Sequence, residues 1–296
     1  MTDSAEPLDR TRFVLIGAGR VGTAVASVLQ AAGHQPVGII SRSPSSARRA
    51  AARLGASVFE QLDDIPPADL VLLGVGESAI DDVAGKLALH VVPGVVVVHF
   101  AGALGLAPLR PLFGMGARGA ALHPVQAMPT IDVAIARLRG SAWGVTCPPD
   151  LRDWAHTLIQ RDLDGVPFDV REEDRPLWHA ASVTTSNGIA GLMSAGERML
   201  SSIAISEPER VLGPLAAGTV TNAIEGGGGS ATLTGPAIRG ERATIERHLE
   251  ILRTRAPELL EPYRLATMLV VDGALAGGRM SADDARAVHS LLRDDP

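Results

Sequence analysis

This 296-residue chain carries eight histidines but a single lysine, Lys86, a single tyrosine, Tyr263, and a single cysteine, Cys147, so few of its groups could deliver a proton. Three histidines stand out by position. His179 lies in "RPLWHAASVTTSNGIAG" (175–191), a helical run that is otherwise small and apolar. At 3.6 residues per turn, Ser186 returns two turns later about 20° around from His179, and Asn187 is turned by roughly 80°. Polar groups on such a helix need partners, and a substrate or a neighbouring helix would both serve. His99 and His123 each close an apolar run; Pro124 follows His123 directly and Gln126 is close enough to share its site. Any of the three could give a proton to a developing alkoxide, or could be held by a buried hydrogen bond. His179, His123, Ser186 and Asn187 form the candidate catalytic set.

Elimination narrows the chemistry. Tyr263 and Lys86 are too far apart for a Tyr-x-x-x-Lys pair, and no lysine follows residue 86. Cys147 sits in an apolar stretch where packing explains it better than nucleophilic attack. No HxH, HExxH or CxxC spacing supports a metal. Acid pairs such as Asp63-Asp64, Asp81-Asp82 and Asp283-Asp284 read as solvated helix ends. One cysteine permits no internal disulfide, which suits a reducing, cytoplasmic setting.

The elements that must position these groups are legible in the first half. "RFVLIGAGRVGTAVASVLQAAGH" (12–34) reads as a buried strand, a glycine turn and an amphipathic helix. Gly17-x-Gly19-x-x-Gly22 between strand and helix is a dinucleotide fingerprint: a tight turn, a close backbone approach to pyrophosphate, and helix-on-strand packing. Gly17, Ala18, Gly19, Arg20, Val21 and Gly22 are therefore expected at the cofactor, with the helix N-terminus facing its phosphates. The next strand, "PVGIIS" (36–41), ends without the acidic residue that would bind an NAD ribose. Ser41-Arg42-Ser43 stands there instead, a hydroxyl pair around a guanidinium that suits a 2′-phosphate and points to NADP(H). "ADLVLLGVGES" (68–78) repeats the strand and turn, adding Gly74, Val75, Gly76 and Ser78. Further strands fit "GVVVVHFAGAL" (94–104), "GARGAALHPVQAMP" (116–129), "GSAWGVTC" (140–147) and "VPFDV" (166–170). Alternation of strands and helices to residue 170 predicts a doubly wound α/β domain.

From Glu172 onward strand signals largely vanish. Helices are expected over about 176–203, from a Ser206/Glu209 capping box onward, and over 241–255, 257–277 and 281–293. A glycine-rich connection covers 225–241. The fold class is thus α/β: an N-terminal doubly wound Rossmann domain (12–171) followed by an all-helical C-terminal domain (172–296) for substrate binding and dimerisation.

Composition excludes other classes. With 46% hydrophobic and 20% charged residues the chain is globular rather than disordered. A net charge of −6 without a basic stripe argues against nucleic acid. The longest apolar run, "VVPGVVVVHFAGALGLAPL" (91–109), is too interrupted to span a membrane, and the polar N-terminus lacks a secretory core.

The pieces "GAGRVGTAVA", "HFAGALGLAPL", "LHPVQAMP", "RPLWHAASVTTSN" and "ATLTGPAIRGE" resemble, in order, a family joining a Rossmann-like NAD(P)-binding domain to a helical C-terminal domain of originally unknown function. That family looks like a branch of the 6-phosphogluconate-dehydrogenase-like superfamily, whose relatives include ketopantoate reductase, pyrroline-5-carboxylate reductase and prephenate dehydrogenase. The resemblance implies an NADP-dependent oxidoreductase, dimeric through its helical domain. Hydroxyacid dehydrogenases of the superfamily place a lysine one turn before the asparagine of the first long helix; here Val183 stands there. His179 is the nearest replacement by helix position, and "TGPAIRG" (234–240) would bring Arg239 to a substrate carboxylate. The expectation is hydride transfer to a small 2-oxo acid, with His179 or His123 giving the proton. Alternatives are an imine reductase resembling pyrroline-5-carboxylate reductase and an NADP(H)-binding sensor without turnover.

Overall fold

A computed structural model describes residues 10–293. It divides into two compact units, residues 1–183 and 184–296.

The first unit contains β1 (Arg12–Ile16), α1 (Arg20–Ala31), β2 (Gln35–Ile40), α2 (Pro44–Leu54), β3 (Leu70–Leu73), α3 (Ile80–Leu87), β4 (Val96–His99), α4 (Arg110–Phe113), β5 (Arg118–Val125), α5 (Ile131–Leu138), β6 (Ala142–Thr146), α6 (Arg152–Thr157) and β7 (Val166–Asp169). The strands make one sheet in the order β2-β1-β3-β4-β5-β6-β7. Pairing is parallel from β2 to β5, antiparallel between β5 and β6, and parallel again between β6 and β7. The last two strands therefore run against the first five, a reversal that apolar strand patterns do not encode. A further parallel bridge, Ile39 to Val58, adds a rudimentary edge strand beside β2.

Both faces of the sheet are covered, which explains the unbroken apolar runs of β1, β3 and β4. One core layer joins Phe13 and Leu15 to Val25 and Leu29 of α1, Leu54 of α2, Leu138 of α5 and Trp143 of β6. The other joins Val14, Ile16 and Leu73 to Ile80 and Leu87 of α3 and Leu112 of α4.

α7 (Arg175–Ser201) begins in the first unit and ends in the second. The two compact units divide inside this helix, at 183/184. The reason is that the opening residues of α7 are bonded into the sheet domain, as the site below shows.

The second unit continues with α8 (Pro208–Glu225), α9 (Gly229–Thr232), α10 (Arg242–Arg255), α11 (Leu260–Ala276) and α12 (Ala282–Arg293). Its core is formed by Ile245, Leu249, Val271, Val288 and Leu292 of the last three long helices, with Ala237. The expected capping box is absent. Pro208 takes the first helical position, so Glu207 becomes the cap and Ser206 falls one residue short of it. Proline favours that first position because its missing N–H is not needed there. The glycine-rich connection is also not wholly irregular, since α9 forms one turn within it.

Candidate active site

The order β2-β1-β3 puts consecutive crossovers on opposite sides of β1, and the crevice at such a reversal is where open α/β sheets bind ligands. The turns after β1 and β3 meet there. Gly17 adopts φ +92°, open to glycine alone, and its N–H donates to the Ile40 carbonyl at 2.7 Å. A Cβ on Gly17 would lie 2.6 Å from the Val75 nitrogen, and one on Gly22 would lie 2.7 Å from the Cα of Gly74. A Cβ on Gly19 would come within 2.8 Å of the Gly74 carbonyl oxygen. The two glycine turns thus interlock backbone to backbone. α1 starts at once from Gly19, whose cap carries no side-chain hydrogen bond, leaving first-turn N–H groups to meet an anion.

The neighbouring predicted residues divide by role. Ala18 and Val21 pack on the core, and Arg20 Nη1 donates to the Pro129 carbonyl at 3.1 Å, tying α1 to the loop before α5. Ser43 caps α2, accepting from the Ser46 N–H at 3.3 Å. Arg42 at the end of β2 is exposed. Beside it a groove is lined by Ala18, Thr23, Ser46, Arg49 and Arg53. After β3, Gly76 and Ser78 belong to the turn that leads into α3, where the Ala79 N–H donates to the Gly76 carbonyl at 2.9 Å.

Further along the same sheet edge, β4 and β5 end in the histidines. His99 is fully buried, accepts from the Ala101 N–H at Nδ1 (3.2 Å), and so donates from Nε2 to the Gly105 carbonyl at 2.7 Å. Burial pushes its pKa down to about 4. It holds the loop 100–105 and is no proton donor, so of the three singled-out histidines only His123 and His179 remain. Their rings meet edge to face with centroids 5.3 Å apart. His123 is half-buried; burial foremost, with Arg175 and His179 nearby, lowers its pKa to about 4. Its Nδ1 accepts a hydrogen bond from Trp178 Nε1 at 3.1 Å. The His179 ring packs directly over Gly102, where a Cβ would overlap it, and its Nδ1 is buried without a partner.

Sequence reasoning missed three residues that build this site. Arg175 is fully buried and donates to Leu104 O and Gly144 O, each at 3.0 Å, and to Ala101 O. Desolvation lowers its pKa to about 10, so it stays charged at neutral pH. Glu172 accepts from the N–H groups of Leu106 (2.9 Å) and Ala107 (3.0 Å). Together with His99 these two side chains fix the whole "HFAGALGLAP" loop. Trp178 is the third: its indole fills the space over Gly144, the residue paired with His123 across β5 and β6. The available signal was a charged and aromatic opening, Glu172 to Trp178, on a helix of small residues.

The remaining predicted residues are elsewhere engaged or exposed. Gln126 Oε1 accepts from the Ala127 N–H at 2.9 Å and its Nε2 donates to Arg137 O at 3.5 Å, so its amide serves its own loop. Ser186 and Asn187 are exposed residues of α7 within the second unit, and Val183 ends the first. Arg239 is paired with Glu241 at 2.6 Å. Among the described residues no group of three or more His, Cys, Asp or Glu is placed to hold a metal ion. No helix among them is long and apolar enough to cross a membrane.

Residues 2–124 match the Rossmann-like domain family, and residues 141–269 match the domain of unknown function DUF2520. No curated protein matches the chain. Among solved structures the fold is similar to a Bacteroides fragilis protein assigned as an NADP oxidoreductase, at 23% identity and TM-score 0.74, covering 88% of this chain and 97% of that one. It is also similar to a pyrroline-5-carboxylate reductase of Coxiella burnetii (17% identity, TM-score 0.56, 97% and 100% covered). A reductive aminase of Aspergillus terreus, in complex with NADPH and ethyl levulinate, matches at 16% identity and TM-score 0.64, with 95% and 99% covered.

Proposed function

We propose that this chain, a Rossmann-like domain joined to a DUF2520 domain, is an NADP(H)-dependent oxidoreductase that reduces the carbonyl of a small 2-oxo acid. The observation that carries the reading is the contact pair of His123 on β5 and His179 on α7, at the sheet edge that also holds the interlocked glycine turns. Strands about 4.8 Å apart put the ends of β2 and β5 on the order of 19 Å from one another, the reach of an extended dinucleotide.

The glycine turn and the uncapped N-terminus of α1 that follows it fit a pyrophosphate, and Ser41 and Arg42 after β2 fit a 2′-phosphate. Reduced nicotinamide, when bound, supplies the hydride. His123, neutral at pH 7, donates a hydrogen bond to the carbonyl oxygen as negative charge develops there. His179 gives that oxygen its proton.

A second reading, reduction of a cyclic imine, is favoured by the low pKa of His123, because an iminium arrives with its own proton and asks less of the protein. The similarity in fold to a pyrroline-5-carboxylate reductase and a reductive aminase supports it as well.

Two measurements test this. NADPH should raise the melting temperature more than NADH, and Arg42→Ala should weaken NADPH binding about ten- to a hundredfold, the worth of one charged hydrogen bond; equal shifts with both cofactors would sink the NADP(H) assignment. Oxo acids and cyclic imines are then screened by NADPH absorbance. Full rate in both His179→Ala and His123→Ala on any compound reduced would refute their roles.

The same reading includes a homodimer formed through the helical unit. α8 buries none of its residues, and Leu215 and Ile224 on it are 66% and 77% exposed. Apolar exposure on this scale usually marks an interface.

A further inference from the structure

The proton of a neutral imidazole can sit on either ring nitrogen, and a hydrogen bond at one nitrogen decides the matter. His123 and Gly144 face each other across the antiparallel pair β5–β6, where side chains of paired residues are neighbours. Because residue 144 is glycine, the place of its side chain is free, and the indole of Trp178 fills it: a Cβ at Gly144 would lie 2.7 Å from Trp178 Cε2 and Nε1. Phe168 lies tilted against the indole, at 6.3 Å between ring centroids. From there its N–H reaches His123 Nδ1 at 3.1 Å. An indole N–H can only donate, so Nδ1 must accept and cannot carry a proton while the bond stands.

We propose that Trp178 is a positioning residue that locks His123 as a hydrogen-bond donor: it blocks Nδ1, confines the single ring proton to Nε2 and fixes the ring's orientation. This rests on the reductase reading, in which Nε2–H meets the substrate's carbonyl oxygen. It assigns Gly144 a part too, since any side chain there would displace the indole. The other charged or titratable groups facing His123 are Arg175 and His179, both from the start of α7.

The test is Trp178→Phe, which keeps an aromatic ring over Gly144 and removes only the N–H. Ring nitrogens of 15N-labelled histidines are followed by NMR from pH 4 to 8 in the full-length protein. The expected result is that Nδ1 of His123 gains a proton-bearing population and protonates at higher pH than in the parent protein. On a substrate that is reduced, kcat should fall about ten- to a hundredfold, the cost of a misplaced catalytic group, with NADPH affinity unchanged. Identical Nδ1 signals and titration in both proteins would overturn the proposal. His123→Ala gives a second readout should the tryptophan variant fold poorly: the indole N–H resonance of Trp178 must move, and an unmoved resonance also overturns it. The ring signals are read without substrate, so they decide the role of Trp178 whether or not any carbonyl is reduced.

Discussion

His99 shows how far a residue's chemistry depends on what surrounds it. It ends a strand at the sheet's ligand edge, as a catalytic histidine could, yet both ring nitrogens are bonded to the loop that follows. Burial lowers its folded-state pKa to about 4, below the 6.5 of a solvated histidine. The unfolded chain therefore binds more protons between pH 6.5 and 4, and stability must rise with pH across that window. The contribution is complete above pH 6.5 and lost as pH falls through 4, on the order of 3 kcal/mol for His99. His123, also held near 4, adds in the same direction. Urea denaturation from pH 7 to 4 should show the midpoint falling, and more gently in His99→Gln. Parallel slopes in the two proteins would show that His99 does not carry the effect.

At the scale of elements, the instructive one is the start of α7. Glu172, in the turn just before it, and Arg175, its first residue, anchor the β4–α4 loop, and Trp178 and His179 one turn on lie over Gly144 and Gly102. A buried guanidinium bonded to three carbonyls has no cheap substitute, because removing it strands acceptors that water cannot reach. Arg175→Met should cost at least about 3 kcal/mol, read as a lower urea midpoint. The damage should extend to the site, since Arg175 holds Ala101 and the next residue, Gly102, lies under the His179 ring. A stability change within about 0.5 kcal/mol, typical of surface substitutions, would mean the clamp is dispensable. None of this was visible in the periodicity of the helix, which records which faces are apolar and not what an arginine at its first position bonds to.

For the molecule as a whole, the helical unit presents much unpartnered apolar surface. Beyond α8, Leu265 and Leu269 of α11 are 59% and 64% exposed, and Leu192 of α7 is 49% exposed. Burying such side chains in a second copy would return about 1.5–3 kcal/mol each. The expected outcome is a dimer by light scattering on a sizing column, with Leu215→Asp and Ile224→Asp together shifting it towards monomer. A monomer at every concentration tried would refute the homodimer.

The α/β class, the glycine turn, the strands of the sheet domain and the long C-terminal helices were all readable from local pattern. Strand burial, the spacing of glycines and a 3.6-residue period are properties of neighbouring residues, so they survive in one dimension. What only the tertiary structure decided were relations between distant segments. Residues 15–22 and 74–75 interlock because a switch in strand order places their turns together. Gly144 matters because β6 runs against β5 and sets it opposite His123. The compact units divide within α7, at 183/184, and its opening is hydrogen-bonded to segments some 30 to 70 residues earlier. Which histidine could act depended on the same contacts: a histidine's proton answers to its partners in space, and sequence spacing names none of them.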